Sequence, residues 1–138
     1  MSNNQESFEE KVKALNNTAD TTSEYDPQDI EKNKFMAILA YFGILVIIPI
    51  LSAKDSKFAR FHSNQGLILC IVAILYSVCY SILSSVILSI SWHLYWLVSL
   101  IGILSFALLI WFVIGIINAA NGKAKELPLI GHYKLLKV

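Results

Sequence analysis

Three long apolar stretches, at 35–51, 66–90 and 94–120, contain no Asp, Glu, Lys or Arg at all. Proton relays, coupled transport and voltage sensing rely on ionisable groups at membrane depth, so none of these mechanisms is expected. Cysteine is scarce, with Cys70 and Cys79 the only two, both in one apolar run. Their spacing on a helix is about 900° of rotation, which turns the thiols to opposite faces and excludes an intrahelical disulfide. They read as small packing residues. The three histidines, His62, His93 and His132, fall in separate connecting segments and give no metal-ligand spacing. No nucleophile–histidine–carboxylate arrangement, glycine-rich phosphate loop or paired carboxylate is present, so an enzyme, a cofactor or a metal is not expected. The first thirty residues also lack the apolar core of a secretory signal peptide. Insertion is therefore expected to be driven by the internal runs.

What is present is apolar: 56% of the 138 residues are hydrophobic and 15% charged, beyond the balance of an ordinary soluble domain. The chain divides into a polar, acidic segment (1–33), a membrane domain (34–120) and a basic tail (121–138). Basic residues sit beside membrane-length apolar runs rather than on a soluble face, which argues against nucleic acid as a partner. In the first segment, Phe8, Val12 and Leu15 recur at helical spacing over a stretch too short to be stable alone, and NNTADTTSEYD reads as a linker without fixed structure. DPQDIEKNK is a helix start, with Asp26 as N-cap, Pro27 at the first helical position and Asp29 in the first turn.

The 35–51 run would be about 25 Å long as a helix, just short of a hydrocarbon core of about 30 Å. It spans if Lys34 and Lys54 snorkel; alternatively Gly43 and Pro49 bend it into a re-entrant segment. Runs 66–90 and 94–120 are long enough to cross, and the SWHLYW turn between them places Trp92, Tyr95 and Trp96 where interfacial aromatics belong. The expected fold is an all-α helical integral membrane protein of three apolar helices, the last two forming an antiparallel transmembrane hairpin. Asn121 and Gly122 stop the third run, and HYKLLKV is expected to lie on the membrane surface. Lys54, Lys57, Arg60, Lys123, Lys125, Lys134 and Lys137 place the segment at 52–65 and the tail on the cytoplasmic side of a bacterial plasma membrane.

The segment KDSKFARFHSNQGLIL, from Lys54 to Leu69, carries most of the candidate contact residues. Phe58 and Phe61 are one turn apart and are expected to press into the acyl boundary, while Lys54, Lys57 and Arg60 meet anionic headgroups. His62, Asn64 and Gln65 read either as a polar site at the mouth of the second helix or as linker residues bonded to nearby backbone or headgroups. Ser77, Ser81, Ser85 and Ser89 repeat at four-residue spacing, and Gly102, Ser105, Gly115 and Ala119 offer a facing surface. Such small residues allow close helix approach, within the hairpin or between copies. The expected function is that of a non-enzymatic small subunit or adaptor of a membrane complex, in contact with lipid and with a protein partner or itself. The alternative is a transport, translocon-like or pore component built on the serine stripe.

NKFMAILAYFGILVIIPIL, KFARFHSNQG and IINAANGKAKELPLIG together resemble a family of small bacterial multi-pass membrane proteins grouped with the Tic import-channel subunit of the chloroplast inner envelope. The likeness runs from Asn33 to Gly131 and implies a helical membrane bundle. The plastid member is a four-helix translocon component, whereas three apolar runs are present here, so the resemblance does not bring a translocation role with it.

Overall fold

Asp26 caps the second helix as its position predicts, its carboxylate accepting from the Gln28 N–H at 3.0 Å with Pro27 in the first turn. The computed structural model describes residues 2–137. Its helices are α1 (Ser2–Leu15), α2 (Pro27–Leu39), α3 (Ile47–Ser52), α4 (Lys57–Ile90), α5 (Tyr95–Gly102) and α6 (Ser105–Ala120). Short 3-10 turns lie at Thr22–Glu24, Gly43–Val46 and Trp92–Leu94. No strand is formed among the described residues, and an isolated antiparallel bridge joins Asp20 to Lys125. The all-α class is the one that forms.

The first apolar run is not one helix. α2 ends at Leu39, the chain turns through Gly43 in the left-handed region (φ 58°), and α3 restarts only at Ile47. Pro49 explains the restart: inside a continuous helix it would remove a backbone bond, but in a first turn its missing N–H is not needed. α2 has 13 residues and α3 has 6, and neither reaches across a core of about 30 Å. The spanning reading of 35–51 therefore gives way to a broken, bent segment. Val46 and Pro49 point inward, while Ile44, Ile47, Ile48 and Leu51 are exposed, so this segment presents an apolar outer face.

α4 is 34 residues, about 51 Å, well beyond what a bilayer requires. Its environment changes along its length. Phe58 to Leu69 is mostly buried in protein, whereas Ile71, Ile74, Leu75, Val78, Ile82 and Ile90 are exposed. Leu104 between α5 and α6, and Phe106, Leu109 and Ile110 of α6, are likewise exposed. A contiguous apolar surface of this extent is not left bare in water. Lys57–Ile90 and Trp92–Ala120 are both long and apolar enough to cross a membrane. They form an antiparallel hairpin whose tip exposes Trp92, Tyr95 and Trp96.

One feature inside the hairpin was not expected. The third run breaks at Ile103 and Leu104, where bonds of the tighter i to i+3 type replace the regular pattern, such as Phe106 N–H to the Ile103 carbonyl at 3.0 Å. The Tyr76 hydroxyl of α4 donates to the Ile101 carbonyl at 3.0 Å and reaches the Gly102 carbonyl at 3.5 Å. A polar tip from the neighbouring helix thus adds to the bond that the Ile101 carbonyl accepts from the Leu104 N–H, and brings a donor to the break within an apolar surrounding.

The core sits at the open end of the hairpin. Ala37 from α2, Tyr41 just beyond its end, Phe58, Phe61 and Leu69 from α4, and Ile114 and Ala119 from α6 pack with Ala124 and Leu127 of the tail. Two glycines permit this closeness. A side-chain carbon at Gly66 would overlap the Ala40 carbonyl, and one at Gly115 would overlap the Tyr41 ring. We call this end of the molecule, comprising 16–65 and 121–137, the cap.

Candidate functional site

Lys57 to Gln65 is helix, not linker. Ser56 caps it by accepting from the Ala59 N–H at 3.0 Å, and the Asp29 carboxylate of α2 accepts from the Phe58 N–H at 3.1 Å. Once helical, the segment sorts its residues by period: Phe58, Phe61, His62, Gln65 and Leu69 fall on one face. That face is the core face, so Phe58 and Phe61 enter protein rather than the acyl boundary. Lys54 and Lys57 stay exposed, and Arg60 is half-buried.

His62, Asn64 and Gln65 are buried, and all three bond to the backbone of the tail. The Lys123 carbonyl lies 3.2 Å from His62 Nε2 and can only accept, so Nε2 carries the proton. Nδ1 then accepts from the Tyr41 hydroxyl at 2.9 Å. Phe58, Phe61 and Tyr41 stand edge-on around the ring. With no water to solvate a charge, burial lowers the His62 pKa to about 3 and raises that of Tyr41. The imidazole is neutral, as its two bonds require.

Gln65 uses both ends of its amide, donating to the Gly131 carbonyl at 2.7 Å and accepting from the Leu127 N–H at 3.0 Å. Asn64 donates to the Tyr133 carbonyl at 2.8 Å and accepts from the Leu135 and Leu136 N–H groups at 2.6 and 2.9 Å. The tail, expected to rest on lipid, is instead held along α4 by side chains that act as substitutes for a backbone partner. Ser63, between them, is fully buried with no hydrogen-bond partner for its hydroxyl.

The acidic segment also joins the cap. Asn16 and Asn118 exchange amide bonds at 2.8 and 3.0 Å, the Thr21 N–H donates to the Ala124 carbonyl at 3.0 Å, and the Glu126 N–H donates to the Ala19 carbonyl at 3.2 Å. Residues 16–22, expected to lack fixed structure, are thereby paired to 124–126. The segment after α1 and the tail thus meet at the open end of the hairpin.

The serine stripe does not line the hairpin seam. Ser77, Ser81, Ser85 and Ser89 are exposed. Ser77, Ser81 and Ser85 donate to carbonyls one turn earlier, each at 2.8 Å, and Ser89 donates to the Val86 carbonyl at 2.7 Å. Gly102 and Gly115 do serve packing, against Tyr80, whose hydroxyl would meet an added carbon at 3.3 Å, and against Tyr41. Tyr41, Tyr76 and Asn118 were missed from sequence. For Tyr41 and Asn118 the signal was available, since each is an isolated polar tip in its apolar stretch, whereas Tyr76 is one polar group among the serines and Tyr80 of its run. Among the described residues no group of three or more His, Cys, Asp or Glu side chains comes together.

Residues 32–134, which contain the hairpin, most of the tail and the three side chains His62, Asn64 and Gln65 that clamp the tail, match the family described as the magnetosome magnetite crystal formation protein family. The chain belongs to this family. It is 30% identical to the magnetosome protein MamF of Paramagnetospirillum magneticum over 105 residues, 76% of this chain and 85% of that protein. It is 32% identical to MamF of Magnetospirillum gryphiswaldense over 101 residues, 73% of this chain and 81% of that protein. With the magnetosome protein MmsF of P. magneticum it shares 28% over 95 residues, 69% of this chain and 78% of that protein. These matches overturn the resemblance to the Tic import-subunit family, whose short apolar and glycine-bearing motifs did not separate one family of small helical membrane proteins from another. No solved structure gives a significant match. Family membership and the exposed apolar hairpin together make this a membrane-associated helical protein.

Proposed function

We propose that the chain is a non-enzymatic accessory protein of a mineral-forming membrane, which takes part in magnetite crystal formation by holding a folded cap against the membrane surface for other proteins to engage. The observation that carries this reading is the use made of His62, Asn64 and Gln65. Each is occupied by tail backbone, so this buried polar patch serves architecture rather than chemistry. The family description and the magnetosome relatives supply the process. Because 35–51 is broken, every Lys and Arg from Lys32 onward belongs to the cap and the uncharged SWHLYW turn lies at the hairpin's other end, which favours a cytoplasmic cap.

Complementation tests this. Expressed in P. magneticum from which MamF and MmsF have been removed, the chain is expected to return crystal dimensions, measured by electron microscopy, toward those of the parent strain. Crystals indistinguishable from those of the deletion strain, with the chain present in the membrane, would refute the assignment to crystal formation. A photo-crosslinking residue at exposed Lys57 is expected to capture one recurrent membrane protein, and capture of lipid alone would refute the adaptor reading.

A further inference from the structure

We propose that the cap carries a discrete site for the headgroup of an anionic phospholipid, formed by Lys54 and Arg60 between apolar walls supplied by Ile50, Leu51 and Leu136. These five residues line a cavity of about 250 Å³. That is below the roughly 300–1,000 Å³ of sites for drug-sized ligands, which suits a headgroup rather than a whole amphiphile. Two cations face the cavity and no carboxylate lines it; Asp55, next to Lys54 in sequence, lines a separate cavity with Asp29 and Lys32. Arg60 is half-buried and lines the cavity, and its planar fork of donors matches phosphate oxygens in pairs.

The walls identify the ligand as a lipid. Leu51 continues the exposed apolar face of Ile44, Ile47 and Ile48, so acyl chains lying along α3 lead to a phosphate at its C-terminal end. The opposite wall is built by the clamp: Asn64, one turn beyond Arg60 on α4, accepts from the Leu136 N–H at 2.9 Å and so fixes Leu136 at the cavity. Cations at one end and aliphatic carbon at the other complement an anionic phospholipid at the depth where headgroup meets chain.

The site rests on the cap lying at a membrane surface, and the two are tested separately. The full chain, purified in neutral detergent, is offered equal amounts of phosphatidylglycerol and phosphatidylcholine, and retained lipid is counted by native mass spectrometry. Each cation beside an anionic headgroup strengthens binding about fivefold, so the pair gives wild type a preference of about 25-fold for phosphatidylglycerol. The Lys54→Gln, Arg60→Gln double variant is expected to retain the two lipids equally. Lys57→Gln removes an exposed cation outside the cavity and is expected to keep the preference, and Leu136→Ser is expected to weaken it with the charges intact. Full preference in the double variant, or equal loss in Lys57→Gln, would overturn the proposal, as would displacement of the lipid by millimolar inorganic phosphate. Circular dichroism checks that each variant is folded. Flotation of the double variant with vesicles is expected to persist; loss of flotation by the wild type would sink the membrane-surface reading itself.

Discussion

Replacing His62 by glutamine removes the one ionisable ring from the middle of the cap while leaving an amide able to donate to the Lys123 carbonyl. In the folded cap the imidazole is buried and neutral, with its pKa lowered to about 3 by burial against an ordinary value of 6.5. An opened cap exposes the ring and takes up a proton at the higher pH. The folded pKa is the depressed one, so stability is full above about pH 6.5 and is lost as pH falls from there through about 3. Each pH unit within this window costs about 1.4 kcal/mol, so moving from pH 6.5 to 4.5 costs on the order of 2–3 kcal/mol. Protonation also gives Nδ1 a hydrogen that faces the Tyr41 hydroxyl, and Tyr41 must turn to accept it. The assay is amide exchange at Leu127, Gly131 and Leu136, corrected for the intrinsic pH dependence of exchange. Opening of the wild-type cap is expected to rise up to about tenfold per unit below pH 6.5. His62→Gln is expected to show a flat dependence over the same range. Histidine carbon shifts give the direct check, with His93 and His132 replaced to assign the third ring. A His62 titration midpoint between pH 6 and 7, with the tail amides still protected, would refute the reasoning.

Asn64→Ala strands the Tyr133 carbonyl and the Leu135 and Leu136 amides, at about 1–3 kcal/mol for each that stays buried. Trypsin is expected to cut at Lys134 and Lys137 at least tenfold faster than in wild type, and an unchanged digest would show that the clamp does not hold the tail. Gly66→Val forces α2 away from α4 at the Ala40 carbonyl; the cap is expected to melt in detergent at a lower temperature by several degrees, and an unaltered transition would contradict the close crossing. Tyr76→Phe removes the hydroxyl donated to the Ile101 carbonyl and the Gly102 carbonyl's approach to it inside the hairpin, a loss of about 0.6–2 kcal/mol. A steric-trapping measurement of hairpin stability that finds no loss would remove Tyr76 from the account of the break.

The helices that are long and apolar, and the turn between them, were legible because an uncharged run and interfacial aromatics leave few alternatives. Asp26, Pro27 and Gly122 marked helix ends correctly because capping is local chemistry, and Gly122 indeed takes a φ of 67°. The break at Gly43 and Pro49 was visible as a possibility, but length alone could not decide it. The site was misread for a different reason. FARFHSNQG next to a membrane run looks like a surface segment until its residues are placed at helical period, and what covers its core face is a tail some sixty residues further along. His62, Asn64 and Gln65 each find partners at separations of 61 to 72 residues, and no local pattern announces such pairs. The family was misassigned because small residues and an asparagine–glycine stop recur wherever short helices pack in membranes.

The clamp also sets an order of assembly. α4 is synthesised well before the segment that satisfies its polar residues, and the whole hairpin is threaded in between. Until residues 121–137 emerge, His62 Nε2, Asn64 and Gln65 have only water or other proteins to bond. The newly inserted hairpin therefore presents a wet, unfinished surface beside the bilayer, and arrival of the tail is the step that expels the water and closes the fold.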